Sequence, residues 1–180
     1  MRSYYQQQGA ALLLSLVLLL VLTLLAISGM QGSVLQEQMA SAQRDGFIAL
    51  EIAEQAMRDV EEALDELPDL DAFGSESGFY KSGEAPNVFA EETWDPDENA
   101  SGVAPDVDGI TPRFIAEYLG KVILDAEGQL PRDLGNYGGG ESAEMDYARI
   151  VVMAQGPSGQ SRRILEGFYV FKPEGLSAEE

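Results

Sequence analysis

The sequence predicts an α+β fold, in which one long N-terminal helix lies over a small antiparallel β-sheet. Two observations support this prediction. Residues 3–36 contain no charged side chain, and a helical pattern of apolar residues then continues to residue 67. Near the other end, residues 146–155 and 161–172 are rich in β-branched and aromatic residues. The turn sequence GPSGQ separates them, as in an antiparallel hairpin.

The composition excludes several classes of protein. The chain has 180 residues, of which 11 are Lys or Arg and 31 are Asp or Glu, so its formal net charge is -20. Such a charge repels phosphate backbones and argues against nucleic acid as a partner. The chain has no His and no Cys, which excludes histidine-based triads, cysteine nucleophiles, ordinary zinc sites and disulfide bonds. No motif singles out a carboxylate pair for acid–base chemistry, so we expect no enzymatic activity.

Residues 10–30 form the predicted membrane segment. Its core, residues 12–27, reads LLLSLVLLLVLTLLAI and is interrupted only by Ser15 and Thr23. A stretch of about 20 apolar residues is long enough to cross the hydrocarbon of a bilayer. Arg2 precedes the segment, and Glu37 is the first charged residue after it. The positive-inside rule therefore places the N-terminus in the cytoplasm and the remainder of the chain outside it.

The residues leave three interpretations of this segment open. A plain signal anchor requires nothing beyond the apolar run. A secretory signal would be cleaved after the small-x-small triplet at residues 26–28, which would release a soluble protein beginning at Gly29. The third interpretation uses the short polar leader, residues 1–9 (MRSYYQQQG), which ends in Gly9 directly before the apolar helix begins at Ala10.

Residues 31–67 continue the helix as an amphipathic segment, which Pro68 ends. A single helix over residues 10–67 would be about 90 Å long at about 1.5 Å per residue. Two helices with a break near Gly29 and Gly32 are the alternative. Apolar residues recur in this segment at intervals of three or four, and we expect them to face the sheet: Phe47, Leu50, Ala53, Met57, Val60, Leu64 and Leu67.

Residues 68–180 form the predicted globular head. Residues 68–112 and 125–143 are rich in Gly, Pro and acidic residues and are predicted to be long loops. We expect three strands, at residues 113–119, 146–155 and 161–172. The first loop carries isolated aromatic residues that we expect to attach it to the sheet: Phe73, Phe79, Tyr80, Phe89 and Trp94.

The junction at residues 6–14, QQQGAALLL, resembles the leader of type IV pilins, in which a dedicated peptidase cuts after Gly and the new N-terminus is methylated. Other segments resemble the PilX family of minor pilins over nearly the whole chain. These segments are MQGSVLQEQMASAQRD, ALEIAEQAMRDVE, PRFIAEYLG and YARIVVMAQGPSGQSRRILEGFYVF. The resemblance implies a pilin-like α+β fold whose apolar helix is a membrane anchor before assembly and part of the filament core afterwards.

The resemblance also implies a function and partners. The prepilin peptidase would cleave between Gly9 and Ala10, and Ala10 would be N-methylated. The protein would wait in the inner membrane with its head in the periplasm. It would then join other minor pilins and the major pilin to prime a pilus, beneath a large tip adhesin and without a cofactor. The K-type pseudopilins of type II secretion are also similar, but the chain lacks their large inserted domain, which favours the pilus.

Leu14 is the fifth residue after the implied cleavage point, where ordinary pilins carry Glu. In the family, that carboxylate is thought to meet the terminal amine of a neighbouring subunit. A subunit with Leu14 has no carboxylate to offer, which suits a position at the end of the filament. A tolerated hydrophobic substitution without positional meaning is the alternative.

Oxygen-bearing residues at positions 95–106 have the spacing of an EF-hand calcium loop: Asp95, Asp97, Asn99, Ser101 and Asp106. Ala100 stands where that loop needs Gly, and no helices flank the segment in the sequence pattern. Because the chain is rich in carboxylates, such spacings arise readily. A solvated loop is therefore the default interpretation, and a calcium site is the alternative.

Overall fold

The computed structural model describes residues 8–124 and 143–173. The chain divides into two compact units, Met1–Arg44 and Asp45–Glu180, which we describe separately. The elements found in the described residues are one α-helix, a short 3₁₀ turn at Glu92–Trp94 and five strands. The helix is α1 (Gln8–Asp65), and the strands are β1 (Phe79–Tyr80), β2 (Gly102–Val103), β3 (Arg113–Leu124), β4 (Ala143–Gln155) and β5 (Arg162–Phe171). The predicted α+β class is confirmed.

Helix α1 passes through Gly29 and Gly32 without a break. A Cβ atom at either glycine would meet nothing within 4 Å, so these residues mark no close contact. At its other end the helix stops at Asp65, two residues before the predicted end. A final hydrogen bond from Leu67 N to Leu64 O, 3.4 Å long, closes the last turn before Pro68.

The sheet has the order β1-β3-β4-β5, and β2 pairs with β3 outside this path. β3, β4 and β5 are antiparallel, as predicted, whereas β1 is parallel to β3, so the sheet is mixed. β3 extends five residues beyond its predicted end at residue 119. The register shifts between Tyr118 and Gly120, and Gly120 has φ +119°. This bulge lets the strand continue through Gly120, the residue just after its predicted end.

The core of the head lies between α1 and one side of the sheet, which we call the helix-facing side. Ala49, Ala53 and Ala56 are fully buried there, because small side chains allow the helix to approach the strands closely. The prediction that Phe47 faces the sheet was wrong, since its side chain is 69% exposed. Phe47 lies two positions before Ala49, about 200° around the helix, and therefore points away from the strands.

The first predicted loop, residues 68–112, covers part of the opposite side of the sheet, which we call the outer side. Trp94 is buried there against Ile115, Val151 and Met153, and its indole N–H donates to the Val88 carbonyl at 2.8 Å. The attachment predicted for the aromatic residues holds for the buried Phe73, Phe79 and Trp94 and for the half-buried Tyr80. It does not hold for Phe89, which is 80% exposed.

A buried ion pair holds the same loop to the strands. The Glu117 carboxylate on β3 lies 2.7 Å from the Arg149 guanidinium on β4, and it also accepts a 2.7 Å hydrogen bond from Gly83 N in the loop. Arg149 extends this network to Glu166 on β5 at 3.3 Å. Because Glu117 is only 6% exposed, both of its partners offset the cost of burying the carboxylate.

Candidate assembly helix

The N-terminal unit presents an apolar helix whose side chains are exposed. An 18-residue window of the helix has a mean hydropathy of 3.0, and none of it is buried. Between Leu12 and Met30 the large apolar side chains are 46% to 69% exposed. Among the described residues, this is the one helix long and apolar enough to cross a membrane.

The two hydroxyls within this apolar run are satisfied by the helix itself. Ser15 Oγ donates to the Leu12 carbonyl, and Thr23 Oγ1 donates to the Leu20 carbonyl, each at 2.8 Å. Such bonds to a preceding carbonyl remove the polar groups from the helix surface. The run can therefore lie among lipid chains or apolar helices without an unpaired hydroxyl.

The predicted processing residues lie at the start of this helix. Gly9 and Ala10 are exposed and helical, and a Cβ atom at Gly9 would meet nothing within 4 Å. Leu14 follows one turn later and is 68% exposed. The remainder of the predicted leader, residues 1–7, lies outside the described residues.

Within the C-terminal unit, α1 is joined to the β4–β5 turn by one carboxylate. Asp45 is 8% exposed, and its oxygens accept hydrogen bonds from Ser158 N at 2.8 Å, Ser158 Oγ at 2.7 Å and Ser161 N at 3.2 Å. Hydrogen bonding by the Ser161 side chain, and then by the backbone and side chain of Ser158, lowers the Asp45 pKa from 3.8 to about 2. We call Asp45, Gly156, Ser158 and Ser161 the Asp45 cluster.

Glycines allow this close approach of helix and turn. A Cβ atom at Gly156 would lie 2.7 Å from the Asp45 carbonyl oxygen, and one at Gly46 would lie 2.7 Å from the Arg163 guanidinium. Any larger residue at Gly156 would separate the turn from the helix. The cluster therefore fixes where the turn meets α1 within the head.

The comparisons with known proteins concern the same helix. Residues 8–58 match the family model described as PilX N-terminal. This part of the chain is similar to the N-terminal segment of PilX-type minor pilins. A search of curated proteins found no match, and neither did a search of solved structures. The match covers both the apolar half of α1 and Asp45, so the helix is the part of the chain that resembles the family.

Within the described residues, the predicted calcium ligands do not gather around one point. Ser101 is 1% exposed, and its Oγ accepts a 2.7 Å hydrogen bond from Arg113 Nε, which places a cation beside it. Asp95 accepts from Asp97 N at 2.9 Å, and Asp106 accepts from Gly109 N at 2.8 Å.

The fifth predicted ligand, Asn99, is in the left-handed region with φ 52°, and its carbonyl oxygen accepts a 2.9 Å hydrogen bond from Ser77 Oγ. Across residues 8–124 and 143–173, the acidic side chains form no group of three that could hold a metal ion. The segment is thus a loop in which Asp95, Asn99, Ser101 and Asp106 accept hydrogen bonds from other protein groups. The calcium site, which the sequence analysis gave as the alternative to a solvated loop, stays untested.

Sequence reasoning missed the Asp45 cluster. Asp45 is followed by Gly46, and the hairpin turn GPSGQS supplies the serines, but 113 residues separate Asp45 from Ser158. The one available signal was the pair Asp45 and Gly46, a carboxylate followed by glycine. This pair stands at the start of a helical stripe whose other residues toward the sheet are apolar.

Proposed function

We propose that this protein is a minor pilin that helps prime type IV pilus assembly as part of a tip complex, after the prepilin peptidase cleaves it between Gly9 and Ala10. Its mature N-terminus would be methylated at Ala10. The proposal is supported by the family match over residues 8–58 and by the polar leader that ends in Gly9. The family is structural, and the proposed role is non-catalytic and needs no cofactor.

The exposed apolar surface of α1 is the observation that carries this proposal. A helix with side chains from Leu12 to Met30 at least 46% exposed is unstable in water, so it needs an apolar environment on all sides. A bilayer provides one before assembly, and a bundle of similar helices provides another afterwards. The apolar surface continues beyond the predicted membrane span at Val34, Leu35 and Met39, which are 50%, 60% and 64% exposed.

Leu14 supports a position at the tip. A carboxylate in an apolar helix bundle is costly unless it is paired. Because Leu14 carries none, this subunit avoids that cost but offers no partner to the amine of another subunit. The charge asymmetry of Arg2 and Glu37 supports an orientation with the N-terminus in the cytoplasm and the head in the periplasm.

Processing is tested by N-terminal sequencing of the mature protein from cells. The proposal expects Ala10 as the first residue. A chain that begins at Gly29 would instead indicate a secreted protein, and an intact Met1 a plain signal anchor.

Glycine variants in a deletion strain provide the matched comparison. Gly9→Val should abolish both cleavage and surface pili, because the residue before the scissile bond is changed. Gly29→Val is the control: a Cβ at either position meets nothing within 4 Å, so both proteins should be made at similar levels. Gly29→Val should be processed normally. Full piliation by uncleaved Gly9→Val would refute the proposal, and lost secretion with intact pili would favour a type II system.

The tip position is tested by Leu14→Glu, with Leu13→Glu as the control. Both introduce one carboxylate at a site of similar exposure, 68% and 65%. Only the first carboxylate stands at the fifth mature position. Immunogold labelling should find the Leu14→Glu subunit along the filaments and the Leu13→Glu subunit absent from them. Labelling of the Leu14→Glu subunit confined to tips would show that Leu14 does not decide position.

A further inference from the structure

β5 forms an edge of the sheet. It pairs with β4 on one side, and no described residue pairs with its other side. The strand has ten residues, contains no proline, and keeps its register with β4 throughout. Edge strands are usually protected by prolines, bulges, charged side chains or short length, because their free backbone groups attract other strands. β5 has charged side chains at Arg162, Arg163 and Glu166 but has no proline, no bulge and is not short.

The hydrogen bonds of the hairpin identify which backbone groups are free. Gly156 N donates to Ser161 O at 2.9 Å, so this pair is a bonded pair of the antiparallel ladder. Bonded and non-bonded pairs alternate along such a ladder. The residues whose N–H and C=O groups point to the free edge are therefore Arg162, Ile164, Glu166, Phe168 and Val170. Of these groups, the Arg162 carbonyl accepts a 3.4 Å hydrogen bond from the Arg163 guanidinium.

The free edge also carries uncovered apolar side chains. Phe168 is 67% exposed and Val170 is 37% exposed. Both lie on the outer side of the sheet, opposite Arg149 and Tyr147 on β4. The loop that holds Trp94 against this side reaches β5 at Ile164, and among the described residues it leaves Phe168 and Val170 uncovered.

The start of β5 carries positive charge that no carboxylate of the described residues pairs with. Arg162 and Arg163 are exposed, and within the described residues neither has a carboxylate within 4.0 Å. This is notable in a chain with 31 acidic and 11 basic residues, where acidic partners are abundant. Complementary charge across an interface selects a partner and its register. A partner segment with carboxylates near these arginines would satisfy them.

We propose that β5 accepts an extended strand from a neighbouring pilus subunit, with acidic residues facing Arg162 and apolar residues facing Phe168 and Val170. The added strand would bond to the free backbone groups, and its alternate side chains would provide specificity, as in other cases of strand addition. This inference rests on the proposed function, since it requires that the protein assembles with other subunits.

Hydrogen exchange of the full chain provides the test. The protein is purified in detergent alone and co-purified with the other minor pilins of the same organism. In the complex, the outward amides of Ile164, Glu166 and Phe168 should exchange at least tenfold more slowly than in the protein alone. The amides of Leu165 and Gly167, which bond to β4, should change much less and serve as internal controls.

Variants connect the protection to assembly. Phe168→Lys should lower the yield of the complex at least tenfold, because a lysine on an edge strand disfavours pairing. Phe89→Lys is the matched control, since it changes a side chain that is 80% exposed in the same head. It should leave the yield unchanged. Circular dichroism checks that both variants are folded.

The outcomes separate the inference from the proposed function. An intact complex without slower exchange on β5, or a normal yield with Phe168→Lys, would overturn the inference and leave the minor-pilin role standing. Failure to form any complex would contradict the proposed function. Slow exchange of the outward β5 amides in the protein alone would also overturn the inference. If that slow exchange depends on protein concentration, a second copy of the chain covers the edge. If it does not, the chain covers the edge itself.

Discussion

Gly156→Ala should destabilise the head by forcing the β4–β5 turn away from α1. A Cβ atom there would lie 2.6 Å from Cγ and Oδ2 of Asp45 and 2.7 Å from its carbonyl oxygen. Ordinary contact begins at 3.4 Å, so the turn and the helix would have to separate by about 0.7 Å. The carbonyl belongs to a helix and cannot rotate away as a side chain would. The hydrogen bonds of Asp45 to Ser158 and Ser161 would lengthen with the same movement.

Overpacking of this kind costs about 1–3 kcal/mol, and the immobile carbonyl leads us to expect about 2–3 kcal/mol. For a chain of this size, about 1 kcal/mol lowers Tm by about 2–4 °C, so Tm should fall by about 5–10 °C. The assay is thermal unfolding of the full chain in detergent, followed by circular dichroism. Gly167→Ala is the control, because its Cβ would lie 3.7 Å from the flexible Met57 side chain. It should stay within about 0.5 kcal/mol of the wild type.

A Gly156→Ala protein that melts within about 1 °C of the wild type would refute this reasoning. It would mean that the turn does not rest on the helix as the structure has it. An equal fall in Tm in Gly156→Ala and Gly167→Ala would point instead to a general effect of replacing glycine in the hairpin.

Three other predictions follow from the same head. The lowered pKa of Asp45, about 2 against 3.8, means that its contribution to stability is present above pH 4 and is lost as pH falls toward 2. The Tm of Asp45→Asn should therefore depend less on pH between 4 and 2 than the Tm of the wild type does. Equal slopes of Tm against pH in the two proteins would contradict the hydrogen bonding of the Asp45 carboxylate in the cluster. Leu64→Ala removes a side chain with 0% exposure and should cost about 2–5 kcal/mol in thermal unfolding. Leu35→Ala, at a 60% exposed position, should cost little in the same purified chain. Calorimetric titration with calcium should give no binding heat, because the Ser101 hydroxyl already accepts a hydrogen bond from the Arg113 guanidinium. A saturable binding heat that is lost in Asp97→Asn would instead show a calcium site.

Much of the fold could be predicted because its signals are local. The apolar run, the amphipathic continuation and the GPSGQ hairpin each lie within a few turns or one strand pair, where periodicity reports the buried face directly. The family resemblance rested in large part on the same N-terminal stretch, and the match over residues 8–58 falls there. The processing residues Gly9 and Ala10 were also found from local sequence, and they stay predictions until the mature N-terminus is sequenced.

The errors arose where two distant segments decide the outcome. Phe47 fits the helical stripe but is exposed, because Ala49 and Ala53 set which face approaches the strands. The strand was predicted to end at residue 119, yet pairing with β4 carries β3 through Gly120 as a bulge. Phe89 is an aromatic residue of the kind expected to attach the loop to the sheet, but the loop buries Trp94 and leaves Phe89 exposed.

The order of residues by itself determined that one end of this protein must leave water and that the other must form a β-hairpin, since both follow from the side chains of consecutive residues. Tertiary structure alone decided the contact between Asp45 and Ser158, which are 113 residues apart, and the exposure of Phe168 at the free edge of β5. The physical reason is that a hydrogen bond or an uncovered edge depends on which segments meet in space. The periodicity of residues within one segment does not specify which distant segment it will contact.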